Sequence, residues 1–269
     1  MKLRFNPLQV FKSSKTPAGL YARQKWLGES TTRQWKTDFE ETSSNLFADQ
    51  ASDGSWHQSE VETITRLFGL HLTVREATVR ISAALNWLFG KIDRQSPENQ
   101  VSAEADIITE TLKGLPFICS RRDMFLMGAI LFLASIFDRH HDPLVEECYR
   151  RLSSVGTRNK GIWFDPASSH NVFRALVVHP NYSKEPATSL FVHYLANRQT
   201  ESGDWGDSLP FYQTLNALAH LNSPSTDTQL EKAFARLFRT QNADGTWDET
   251  EPEWNTFLAV HALKNKGLF

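Results

Sequence analysis

Cysteine is nearly absent from this chain: Cys119 and Cys148 are the two among 269 residues. A disulfide framework is thereby excluded, and the composition suits a reducing, cytoplasmic compartment. Long apolar runs are missing too. The longest, Met124 to Phe137, is about fourteen residues, whereas a bilayer-spanning helix needs roughly 20. No transmembrane segment is expected. Charge of one sign is also lacking, since the formal net charge is −2, so the chain has no general attraction for nucleic acid or anionic membrane. The first fifteen residues are locally basic through Lys2, Arg4, Lys12 and Lys15, without an acid, yet they lack a signal peptide's apolar core. Residues 1–18 are therefore expected to form a basic, poorly ordered tail.

Runs of alternating β-branched residues are absent as well, which leaves helix as the one regular element. Apolar residues recur with helical period over Trp35–Ala48, Val61–Leu72, Ala77–Ile92, Ala105–Leu112, Met124–Phe137 and Leu144–Leu152. They do so again over Asn171–Val178, Ala187–Asn197, Pro210–Leu221, Gln229–Arg239 and Glu253–Lys264. The expected fold is all-α, with about eleven or twelve helices.

What is present is a repeat. Trp163, Trp205 and Trp247 stand 42 residues apart, each closing a Gly-x-Trp triplet, and Gly54-Ser55-Trp56 is a fourth copy. Six residues before the tryptophan stand Gln50, Gln199 and Gln241, with Thr157 in the remaining copy. Two after it stand Gln58, Asp165, Asp207 and Glu249. A fixed period in this range marks a repeat architecture, and a repeat array favours one domain, here residues 19–269. The glutamine can bond backbone groups at a helix end, the tryptophan can pack on the loop and next hairpin, and the glycine permits positive φ. Gln50, Trp56, Trp163, Gln199, Trp205, Gln241 and Trp247 are accordingly read as structural. The helix before each loop is amphipathic and the one after it is richer in small, uncharged residues. The first type should lie outside and the second inside. Between residues 75 and 155 this assignment cannot be made.

The segments Gln50-Ala-Ser-Asp-Gly-Ser-Trp56, Gln199-Thr-Glu-Ser-Gly-Asp-Trp205 and Gln241-Asn-Ala-Asp-Gly-Thr-Trp247 resemble the QW-type repeats of squalene and terpenoid cyclases. Protein prenyltransferase β subunits share their fold. The likeness is strongest over residues 185–265, fair over 35–75 and absent as a motif between 75 and 155. It implies an α/α toroid of about five to six helical hairpins, inner helices ringed by outer ones.

The chemistry that accompanies such toroids is missing. No Asp-x-Asp-Asp tetrad is present to protonate a substrate; the nearest fragment, Glu104-Ala105-Asp106-Ile107, lacks its last carboxylate. No Asp-Asp-x-x-Asp run offers a magnesium site. The zinc site of the transferases would need Cys where Ser208 and Leu209 follow Asp207, and His near Asn255. Neither metal nor cofactor is expected. Asp106 and Asp207 remain as candidate acids, although Asp207, Asp165 and Glu249 also read as helix-start residues. His140-His141-Asp142 reads as a surface turn. Phe68, Phe125, Phe173, Tyr212, Phe257 and His261 fall on or near inner helices and are candidates to line a central cavity. Three functions follow: a toroid binding an apolar, isoprenoid-type ligand; a divergent cyclase or transferase using unfamiliar acids; or a noncatalytic scaffold for a protein partner.

Overall fold

The structure is a computed structural model describing residues 3–92, 113–118 and 120–269. Among the described residues it is all-α, with no β-strand beyond one bridge pair between Gln50 and Trp56. The helices are α1 (Pro17–Lys25), α2 (Arg33–Phe47), α3 (Glu60–Thr73), α4 (Val79–Phe89), α5 (Arg122–Ile136) and α6 (Pro143–Arg158). They continue with α7 (Pro166–Val178), α8 (Pro186–Arg198), α9 (Phe211–Leu218), α10 (Pro224–Arg239) and α11 (Pro252–Asn265). No helix among the described residues is long and apolar enough to cross a membrane. The helix expected at Ala105–Leu112 lies outside the described residues, as does Cys119.

Six of these helices begin at proline, whose fixed φ suits the first turn and whose missing N–H is not needed there. Asp165 caps α7 by accepting the Ser168 N–H at 2.8 Å, and Ser223 and Thr226 form a capping box on α10. These polar first turns carry no apolar period, so α7 and α10 start five residues earlier than their periodic cores, at Pro166 and Pro224. Asp207 and Glu249 cap nothing: both are exposed, and α9 and α11 lack a side-chain cap bond. The helix-start reading of those two acids is thus corrected.

Contacts divide the chain into two compact units. One comprises residues 1–47, 72–74 and 192–269, the other residues 48–71 and 75–191. In the second unit α5 packs closely on α7, and both are buried nearly all round. Gly128 makes the approach possible, because a Cβ there would lie 2.5 Å from the Asn171 carbonyl oxygen. α6 buries one stripe, Val145, Cys148, Tyr149, Leu152 and Gly156, and turns its charges outward. In the first unit α11 is buried from Trp254 to Val260 and packs on α9, where Asn216 donates to the Leu258 carbonyl at 3.1 Å. α10 is the amphipathic counterpart.

The first eighteen residues, expected as a poorly ordered basic tail, hold a 3-10 helix, Pro7–Phe11, with Phe11 fully buried, and the start of α1. α1 itself has no apolar period that would have announced it. A buried ion pair fixes it to α2: Arg23 reaches Asp38 at 2.8 Å, and that hydrogen bond holds the Asp38 carboxyl below the usual carboxylate range.

The four loops share one wiring scheme. Gly54, Gly161, Gly203 and Gly245 all have φ between +87° and +96°, and a Cβ on any of them would meet backbone of the next element at 2.4 or 2.5 Å. That element is α4 for Gly54, α8 for Gly161 and α10 for Gly203, but for Gly245 it is Asn6 and Pro7. The glutamines follow suit. Gln50 donates to the carbonyls of Gly54 and Arg80, both at 2.9 Å. Gln199 donates to those of Gly203 and Gln229 at 3.3 and 2.8 Å. Gln241 donates to Gly245 and Phe5 while accepting the N–H groups of Arg4 and Phe5 at 3.1 Å. The N-terminal segment therefore stands against the last repeat where a helix stands against the other three.

Each tryptophan is at most 1% exposed. Trp56, Trp163 and Trp247 donate their indole N–H to the preceding helix at Ala48, Leu152 and Leu237, while Trp205 donates to Gln229 Oε1. Their backbone N–H groups are capped by hydroxyls of Thr63, Ser169 and Thr256. In the Trp205 copy the matching Thr214 hydroxyl is buried without a partner.

Gly203 and Gly206 separate backbone strain from contact. Both have positive φ, but a Cβ on Gly206 meets nothing within 4 Å. Gly206→Ala should cost about 1–2 kcal/mol of backbone strain and Gly203→Ala about 3–4 kcal/mol, because α10 must also move. Urea unfolding of the two variants checks this, and equal losses would contradict the close approach.

Candidate functional site

The first unit gathers four rings around Phe257 of α11. Trp26 stacks on it with centroids 5.2 Å apart and Trp254 at 5.4 Å; Tyr21 meets it edge-on at 5.4 Å, and His261 lies at 6.0 Å. Tyr21 and Trp26 come from α1 and its C-cap, the other three from α11. The helical spacing of 254, 257 and 261 puts those rings on one face. Trp254 and Phe257 are buried, while Tyr21, Trp26 and His261 are half-buried and leave part of the cluster accessible. Asn216 and Asn265 approach His261 Nδ1 through carboxamide nitrogens at 3.2 and 3.4 Å. Nδ1 is therefore the acceptor, and the neutral ring carries its proton on Nε2. His220 adds a sixth ring 5.5 Å from His261.

The second unit holds a separate aromatic group. Phe132 of α5 lies 6.1 Å from Phe68 and 5.4 Å from Phe117, with His71 meeting it edge-on at 6.4 Å. The Arg174 guanidinium lies 5.6 Å from the Phe132 centroid. Burial pushes this arginine down to about 9.

Of the residues expected to line a cavity, Phe257 and His261 come together in the first unit, and Phe68 joins the aromatic group of the second. Phe125 and Phe173 are completely buried; Phe173 packs on Phe191 at 4.9 Å, beside Trp163, and fills core. Tyr212 is half-buried against Phe211, its hydroxyl pushed up by burial to about 12. Asp207 is exposed in the loop before α9, and Asp106 lies outside the described residues. Among the described residues no three His, Cys, Asp or Glu side chains converge as a metal-binding group. Sequence reasoning missed Tyr21, Trp26 and Trp254. Trp254 was legible, three residues before Phe257; the other two belong to α1, which was not.

The three histidines nearest one another in the second unit are structural. His140 and His141 sit in the turn before α6, whose N-cap is Asp142, as a surface turn requires. His179 is almost fully buried, between Tyr149 at 4.4 Å and Tyr182 at 4.8 Å. Its Nδ1 accepts the N–H groups of Asn181 and Tyr182 at 3.1 and 3.2 Å, so the proton resides on Nε2. Burial, aided by the charges of His140 and His141, pushes its pKa down to about 4. A histidine so held is no general base at neutral pH.

No protein-family model matches the chain, and no curated protein matches it. Among solved structures it is similar to a protein from Actinoplanes, with a TM-score of 0.60 at 17% identity over 96% of this chain and 90% of that one. This likeness is one of fold.

The depressed His179 pKa fixes a pH dependence. The unfolded histidine takes up a proton as pH falls below its ordinary value of 6.5, whereas the folded one resists until about 4. Its stabilising contribution is complete above pH 6.5 and is lost progressively towards pH 4. Urea midpoints measured across that window should fall, and less steeply in His179→Asn, whose carboxamide oxygen can replace Nδ1. Parallel curves for the two proteins would refute the assignment.

Proposed function

We propose that the chain is a squalene-cyclase-like α/α toroid that binds an apolar, isoprenoid-type ligand on the aromatic face of its inner helices. The observation that carries this reading is the partly accessible cluster of Tyr21, Trp26, Trp254, Phe257 and His261. Stacked and edge-on rings at these separations present polarisable faces with few polar atoms, the surface that an alkenyl chain prefers over water. The wiring of the loops supports the toroid. Each repeat glycine packs its loop against the next element, and the N-terminal segment occupies that place after the last repeat. The fold likeness over nearly the whole chain is compatible with this reading but names no activity.

Binding rather than turnover is favoured by the polar groups beside the rings. His261 accepts through Nδ1 from two carboxamides, and Asp207 is exposed outside the cluster. Titration with farnesol, followed by tryptophan fluorescence, tests the reading. Saturable quenching is expected, weakened about tenfold in Trp26→Ala through loss of roughly 1–2 kcal/mol of apolar contact. An unsaturable response, or equal affinity in the variant, would overturn it.

A further inference from the structure

Thr157 stands where the other repeats have glutamine, and the seam beside it is open. Gln50 and Gln199 each tie their loop to a carbonyl three residues before the backbone that faces the repeat glycine: Arg80 ahead of Ala83, Gln229 ahead of Lys232. For Gly161 the facing backbone is Leu190, so in the same register the carbonyl without such a donor is that of Ala187. Thr157 instead turns its hydroxyl back onto the Ser153 carbonyl at 2.8 Å. Ala187 also occupies the register of Gln229, whose carboxamide ties α10 back to Val192 at 3.1 Å. The seam between α6 and the start of α8 has thus lost both carboxamides. Beside it lies a groove of about 820 Å³, bounded by α6 and by the segment 181–185 that leads into α8.

We propose that this groove binds a phosphate-bearing small molecule. One wall is a single face of α6, where Arg150, Ser153, Ser154, Thr157 and Arg158 recur at helical spacing. The other wall brings Asn181 and Lys184. Ser153 is 8% exposed, and its hydroxyl has no hydrogen-bond partner among the described residues. Nor do the Lys184 ammonium, the Asn181 carboxamide or the Ser154 hydroxyl have a protein partner there. A concave site in which Lys184, Asn181, Ser153 and Ser154 are left open, and whose Arg150 is held by Glu147 at 2.6 Å, is matched to an oxyanion through its ammonium, hydroxyl and carboxamide donors. Two acids oppose it. Glu146 is engaged by the Tyr182 hydroxyl at 2.9 Å, and Glu185 stands at the rim. Tyr182 is itself buried, so the lining offers no open ring face for an apolar ligand. This site is independent of the aromatic cluster.

The test is the unfolding midpoint of the full chain with inorganic phosphate, pyrophosphate or glycerol 3-phosphate, each against chloride at equal ionic strength. A rise of several degrees with any of the three supports the proposal, and comparing them shows whether a free or an esterified phosphate is preferred. Lys184→Ala should weaken the response about tenfold, and Glu185→Gln should strengthen it. Thr157→Gln restores the missing tie: it should raise the midpoint without ligand and abolish the phosphate response. Equal midpoints in phosphates and chloride, or an undiminished response in Lys184→Ala or Thr157→Gln, would overturn the proposal.

Discussion

The contact between each repeat glycine and the backbone of the element that follows it is the constraint on which the rest depends. At 2.4 or 2.5 Å from an added Cβ, no other residue leaves room. Once the loop lies that close, the glutamine carboxamide can span it and the tryptophan is enclosed on every side. Removing any such tryptophan would cost about 3–5 kcal/mol. The repeat therefore works as a unit: the glycine sets the distance, the glutamine the register, and the tryptophan fills the volume that results.

Departures from the repeat are as informative as its regularity. In the last copy Asn6 and Pro7 stand where the other copies have a helix, and the segment they belong to is anchored by buried Pro7 and Phe11. In the Trp205 copy the indole is served by Gln229 and the hydroxyl cap is lost. In the second copy the glutamine itself is missing, and polar donors line the opening beside it. Intact copies use their polar groups on one another, whereas the copy without its glutamine leaves donors open beside it.

Most of the architecture was legible in the sequence, since the repeat and the helical periods are local signals. Amphipathic α10 and enclosed α7 and α11 follow from where charge and small residues fall. α1 was not legible: Pro17-Ala-Gly-Leu has no clear apolar stripe, and the helix is held by Arg23 and Asp38, a pairing fifteen residues apart that no local pattern announces. With α1 went Tyr21 and Trp26, two of the five rings of the candidate site. Phe125 and Phe173 show the converse error, because an aromatic residue on an enclosed helix can fill core as readily as line a cavity. The basic character of residues 1–18 suggested a tail, whereas it is their backbone, through Arg4 and Phe5, that docks on Gln241.

The repeat supplies the scaffold, and the aromatic face that the scaffold supports carries the proposed activity. Native mass spectrometry of the full chain incubated with farnesol tests that division most directly. The account predicts a one-to-one complex that persists when Gln199→Ala weakens the scaffold and disappears when Phe257→Ala removes the ring at the centre of the cluster. A bare chain mass at every ligand concentration, or a complex that survives Phe257→Ala unchanged, would contradict it.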